Sequence, residues 1–134
     1  MVADTSALLA ILLGEPERLD YIELLAGADD PLISTATLVE ASIVMQARTG
    51  DEGVQDLDDL LTVAGVRPVA VDAEQAVRAR QAFARFGKGR APAGLNYGDC
   101  FAYALAQAMG RPLLFKGADF AQTDVRAAAP SPPH

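Results

Sequence analysis

The chain is short of thiols, of imidazoles and, over its first half, of positive charge, and each shortage excludes something. One cysteine, Cys100, stands among 134 residues, so no disulfide framework can close within the chain. A single histidine beside that cysteine disfavours a zinc site, which draws its ligands from clusters of both. No apolar run approaches the roughly 20 residues that a membrane-spanning helix needs. The segment Ala7 to Leu13 has the length of a signal-peptide core, but Asp4 precedes it and no basic residue does. The expectation is a cytoplasmic protein with no membrane segment.

Bases are scarce where acids crowd. Residues 1–66 hold 13 acids and two bases, Arg18 and Arg48, and the net charge is −7. Taken whole, that charge argues against a nucleic-acid partner, whose phosphates call for basic surface. The distribution argues the other way. Residues 67–134 hold nine bases and five acids, and no acid falls between Gln75 and Gly98. Arg78, Arg80, Arg85, Lys88 and Arg90 all lie in that stretch. An acidic half beside a basic stretch suits a polyanion held at a cation site, and equally a solvated helix face that happens to be basic.

Just over half the residues are apolar, enough for one core in a chain of this length. Short apolar runs at Met1–Ala3, Pro31–Ser34, Arg67–Val71 and Pro112–Phe115 read as strands. Between them the spacing predicts helices: one through Leu13, one from Pro16 to about Ala26, and one from Ser34 or Thr35 to Arg48, stopped by Gly50. Further helices are expected over 51–63, from Ala73 to Phe86 behind Asp72, and from Tyr97 to Met109 behind Asn96. Gly87 to Leu95 reads as a loop. Strands alternating with helices imply an α/β fold of three layers, α/β/α, around a short, mainly parallel sheet of four to five strands. One domain is expected over 1–126, followed by a proline-rich tail over 127–134 that does not join the core.

Four acids then stand out by position. Asp4 follows the first strand directly, where ligands gather in such folds, although Asp before Thr-Ser-Ala-Leu-Leu is also a good helix N-cap. Glu40 shares a helix stripe with Ala36, Ile43, Val44 and Ala47, so it projects either from an apolar face or from its wet edge. Asp99 opens a helix that is apolar nearly all round, at a position where a carboxylate also complements the helix dipole. Asp119 lies beyond the fourth strand, with Asp124 close enough to compete for its place. Converging carboxylates repel, and an all-oxygen set suits a hard cation such as Mg²⁺ or Mn²⁺. A cation of that kind activates water and neutralises charge on a phosphoryl group, which is the chemistry of phosphodiester hydrolysis.

The stretches Val2-Ala3-Asp4-Thr5-Ser6-Ala7-Leu8, Thr37-Leu38-Val39-Glu40-Ala41, Gly94-Leu95-Asn96-Tyr97-Gly98-Asp99-Cys100 and Leu113-Leu114-Phe115-Lys116-Gly117-Ala118-Asp119-Phe120 together resemble the VapC toxins of the PIN-domain family. The resemblance runs over nearly the whole chain in the right order. It implies a Mg²⁺-dependent endoribonuclease whose acids match Asp4, Glu40, Asp99 and Asp119, with Mn²⁺ as a substitute metal. It also implies that Thr5 or Ser6 is the small hydroxyl residue beside the first acid, holding a water or a carboxylate. Expected partners are RNA, a cognate VapB-type antitoxin that occupies the groove near the site, and a second copy of the chain in a homodimer.

Lys88 and Arg90, just before Asp99, are candidates for RNA phosphate contacts. Gly87-Lys88-Gly89 is not a P-loop, since the upstream glycine and the following Ser or Thr are missing. Two other readings fit the coarse pattern. In a receiver-like phosphoacceptor domain, Asp72 after the third strand would accept phosphate, with Asp4 in an acidic pocket and Lys116 after the fourth strand. A non-catalytic interaction module on the same fold would be indifferent to metal.

Overall fold

A computed structural model describes residues 1–89 and 91–128. The chain runs β1 (Val2–Ala3), α1 (Thr5–Leu12), α2 (Arg18–Ala26), β2 (Leu32–Ser34), α3 (Thr35–Val63), β3 (Arg67–Val69), α4 (Ala73–Phe86), α5 (Tyr97–Met109) and β4 (Leu113–Leu114), then one 3₁₀ turn, Phe120–Gln122. The four strands form one sheet in the order β3-β2-β1-β4, and every pairing is parallel.

Alternation along the strands builds two cores. Val2, Leu32 and Leu113 face one layer, where they meet Leu95, Tyr103 and Leu105 of the α4–α5 side. Their neighbours Ala3, Ile33 and Leu114 face the other, among Leu8, Leu25 and Leu57 of α1, α2 and α3. A period of two is what a pleated strand dictates, and runs apolar on both faces mark a sheet buried on both sides. The chain steps from β1 to β2 to β3 with its helices on one face, then returns past them to β4 with α4 and α5 on the other. Right-handed crossovers require that change of face when the direction reverses. The switch falls between β1 and β4, so the loops after those two strands diverge and leave a crevice. Asp4 and Lys116 are the residues at its lip.

α2 starts at Arg18, two residues after the Pro16 expected to open it. The two helices expected on either side of Gly50 are present as the two arms of α3, which meet at a kink where Gly50 leaves helical geometry at φ 70 and ψ −155. The backbone also pairs with the sheet past the boundary expected at 126. Leu113 N–H donates to Arg126 O and Ala128 N–H to Leu113 O, both at 2.8 Å, which seats Ala127 beside β4 in a parallel bridge. Ala127 and Ala128, expected in the tail, thus pair with β4, and 129–134 lie outside the described residues.

At the opposite end of the sheet Asp30 ties three segments together. Its carboxylate accepts from Arg67 at 3.0 Å and from Arg111 at 3.2 Å, joining the start of β2 to β3 and to the turn before β4. The Arg67 hydrogen bond, with that of Arg111, holds its carboxyl at about 2, well below the ordinary range. Among the described residues no helix is long and apolar enough to cross a membrane.

Candidate active site

The site is assembled from the N-terminal ends of three helices, α1, α3 and α5. Asp4 ends β1 and caps α1: its Oδ2 accepts from the Ser6 N–H at 3.0 Å and from the Ser6 hydroxyl at 2.6 Å. Ser6 Oγ in turn accepts from the Lys116 N–H at 3.0 Å, so the loop after β4 holds the group that holds Asp4. That arrangement uses one carboxylate oxygen completely. The other, Oδ1, is buried with no hydrogen-bond partner, and the residue is only 2 % exposed. An unpartnered carboxylate oxygen at this depth is costly unless something positive meets it. Burial pushes the Asp4 carboxyl up to about 6 against the pull of the two Ser6 hydrogen bonds, and the charges of Asp99 and Glu40 push the same way.

Glu40 reaches the crevice from α3. Its Oε1 accepts from the Thr5 hydroxyl at 2.5 Å, and Oε2 lies against Gly98. Of the two places the sequence allowed Glu40, an apolar face shared with Ile43 and Val44 or that stripe's wet edge, the structure shows the edge. The buried stripe of α3 is Thr37, Ala41 and Met45, whereas Val39 and Ile43 are exposed. Glu40 sits at the edge of the buried stripe, and Thr5 draws it inward.

Asp99 begins α5 as its third residue. Asn96 Oδ1 accepts from the Asp99 N–H at 2.9 Å, and Asp99 Oδ2 accepts from the Asn96 N–H at 3.0 Å, a complete capping box. Its Oδ1 has no hydrogen bond among the described residues. Burial raises the Asp99 carboxyl despite the Asn96 hydrogen bond, and Asp119 and Glu40 raise it further. Asp99 is thus within reach of charge from two other acids, as Asp4 is from Asp99 and Glu40. Charge thus couples the four acids expected together in pairs. They do not close into a ready-made cage: among the described residues no three acidic, histidine or cysteine side chains stand grouped as an ion would need them.

Asp119, exposed before the 3₁₀ turn, caps nothing with its side chain. Its rival Asp124 is engaged elsewhere, accepting from the Tyr103 hydroxyl and pairing with Arg85 at 3.4 Å. Those bonds bind the C-terminal segment to α4 and α5, so Asp124 is a structural acid. Lys88 is exposed in the turn after α4, and its N–H donates to Leu95 O at 2.8 Å. Arg90 lies outside the described residues. An apolar cleft of about 320 Å³ between α4 and α5, with Arg80, Phe83, Tyr97 and Phe101 in its walls, lies beside the acids and contains none of them.

The phosphoacceptor reading does not survive this geometry. Asp72 follows the edge strand β3 and caps α4 through the Gln75 N–H at 2.8 Å. Lys116 follows β4 at the far edge of the sheet and is paired with Glu15 and Glu17. Two whole strands separate the acceptor from its lysine.

The hydroxyl expected at Thr5 or Ser6 to hold a carboxylate is present at both, Thr5 on Glu40 and Ser6 on Asp4, but the long-range partners were not legible. The Thr5–Glu40 bond spans 35 residues and the Lys116–Ser6 bond 110, and neither leaves a periodic signal. The oxygen-only donor set and the bare Oδ1 of Asp4 suit a hard cation, with Asp4, Glu40, Asp99 and Asp119 as the groups that could hold it.

Comparison with known proteins places the chain. The PIN domain family model matches residues 1–126. A ribonuclease VapC of Mycolicibacterium smegmatis is 56% identical over 131 residues, covering 95% of this chain and 98% of that protein. VapC20 of Mycobacterium tuberculosis, described as a sarcin–ricin loop cleaving toxin, superposes with a TM-score of 0.78 at 18% identity, over 96% of this chain and 98% of that one. VapBC2 from Rickettsia felis, solved bound to a DNA fragment from its promoter, matches with a TM-score of 0.74 at 15% identity, over 94% of each chain. The chain belongs to the PIN-domain family, as a VapC-type member.

Proposed function

We propose that this protein is a Mg²⁺-dependent endoribonuclease, the toxin of a VapBC-type pair, neutralised by its antitoxin. The observation that carries the reading is the bare Oδ1 of Asp4, buried at the crevice between β1 and β4 with Glu40 and Asp99 close enough to raise its proton affinity. Asp4, Glu40, Asp99 and Asp119 would hold the ion. When bound, a divalent cation lowers the pKa of a water and offsets charge gathering on the phosphoryl oxygens. The chain's own residues orient the carboxylates: Ser6 and Lys116 N–H fix Asp4, Thr5 fixes Glu40, and the Asn96 box fixes Asp99. Among the described residues the hydroxyls at the acids, those of Thr5 and Ser6, each donate to a carboxylate. Cys100 is buried and its thiol is pushed up to about 11 by that burial, with the Asp99 charge adding to it.

RNA is the substrate that the related ribonucleases suggest. An antitoxin partner rests on the VapBC neighbour and on exposed apolar side chains, Val39 and Ile43 on α3 and Tyr97 at the mouth of the site, that a partner chain would cover. A homodimer in the cytoplasm completes the proposal.

The decisive test pairs Asp4→Asn and Asp99→Asn with the parent in an RNA cleavage assay containing Mg²⁺. Both variants retain the fold by circular dichroism and lose cleavage by at least 100-fold. Parental rates in both would remove the catalytic assignment. Growth arrest on expression, relieved by the neighbouring antitoxin gene, tests the toxin role separately.

A further inference from the structure

We infer that Gly98 is a positioning residue: the space left by its missing side chain is where the Glu40 carboxylate sits, so this glycine keeps the second acid in the cluster. A Cβ at Gly98 would fall 1.7 Å from Glu40 Oε2, 2.5 Å from Cδ and 2.9 Å from Oε1. No real Cβ tolerates such contacts, so any side chain at 98 displaces the carboxylate.

Backbone conformation gives no reason for glycine here. Gly98 is the second residue of α5 and is absent from the seven glycines at positive φ. Glycine is among the poorest helix formers and alanine the best, so the local preference is for a side chain. The reason lies across the helix crossing, where α3 packs on α5. Nor can Glu40 swing aside at no cost, because Oε1 accepts from Thr5 Oγ1 at 2.5 Å. The carboxylate is gripped on one side by the first turn of α1 and on the other by the bare Cα of Gly98. Removing either grip releases it toward solvent, to which Glu40 is already partly exposed.

The consequence for activity rests on the metal-dependent reading above; the steric coupling does not. Two measurements on the full chain therefore separate them. The first is a thermal double-mutant cycle without metal, using Gly98→Ala, Glu40→Ala and the pair. The expected result is coupling: Gly98→Ala raises the melting temperature in the Glu40→Ala background and raises it less, or lowers it, in the parent. Unfolding of Gly98→Ala that Glu40→Ala reverses is the extreme of the same result. Additive shifts, or unfolding that Glu40→Ala leaves in place, overturn the inference.

The second measurement is binding of Mn²⁺ alone, followed by electron paramagnetic resonance, alongside RNA cleavage. Gly98→Ala loses roughly 10–100-fold in Mn²⁺ affinity, as expected when a residue behind a ligand is disturbed. Glu40→Asp, one methylene shorter, weakens binding in the parent but restores it in the Gly98→Ala background. Parental affinity in folded Gly98→Ala, or a Glu40→Asp loss that adds to the first, defeats the positioning role. A parent that binds no Mn²⁺ and whose cleavage ignores Asp4→Asn defeats the metal reading instead, and the thermal cycle still decides the contact.

Discussion

At the scale of single residues, Asp4 serves two ends that pull against each other. As a cap it needs only an acceptor, which its Oδ2 supplies to Ser6. As an ionised group it is buried beside two other acids, and its carboxyl is pushed from 3.8 up to about 6. Between those two pH values the folded chain keeps a proton that the unfolded chain has released. Stability therefore falls as pH rises from about 4 to about 6, and stays lowered above that. The whole loss is on the order of 3 kcal/mol from linkage. Asp4→Asn keeps the capping oxygen and cannot ionise. In metal-free buffer with EDTA its melting temperature should exceed the parent's by several degrees at pH 8, with the advantage shrinking through pH 6 and gone near pH 4. Melting curves of both proteins across that range check it. A difference that does not vary with pH would mean that something other than the Asp4 charge is responsible.

At the scale of elements, α3 carries its strain in one place. Gly50 sits at φ 70 and ψ −155, a region closed to side chains, and nothing lies within 4 Å of where its Cβ would be. Gly50→Ala should therefore cost about 1–3 kcal/mol through backbone strain alone. Urea unfolding reads that loss, and RNA cleavage per folded molecule should stay at the parental value because Glu40 lies on the other arm of the bend. A change in cleavage would show that the bend aims the first arm. Elements like these were largely legible in the sequence, because caps and breakers act locally: Asp4, Asp72 and Asn96 each cap the helix expected of them, and Gly50 breaks α3 where expected. The places of Asp4 and Asp99, at a strand end and a helix start, were legible for the same reason. Glu40 sits at the wet edge of its helix stripe, the second of the two places its spacing allowed. Thr5, Gly98 and Lys116 act across helix crossings and strand neighbours, and Asp30 joins Arg67 and Arg111 through pairings 37 and 81 residues apart. Such contacts exist only once the sheet order is known.

At the scale of the whole molecule, the sheet divides the charge. The layer of α1, α2 and α3 carries most of the 13 acids of residues 1–66, while Arg78, Arg80 and Arg85 lie on α4 across the sheet. Part of that basic face is already neutralised, Arg78 by Glu74 and Arg85 by Asp124. Lys88 is in no ion pair among the described residues and stands at the turn leading toward α5 and Asp99. An RNA strand drawn to a molecule of net charge −7 is repelled from most approaches, so it should arrive over the α4 side and meet Lys88 on the way to the acids. Lys88→Ala should then raise KM for RNA at low salt, leave kcat unchanged, and reduce the slope of log affinity against log salt by about 0.7, the value for one phosphate contact on a single strand. Asp58→Asn, on the acidic layer, should leave that slope alone. Titrating salt against RNA affinity for the three proteins separates the cases, because an approach over the α3 side would make the slope respond to Asp58 and ignore Lys88.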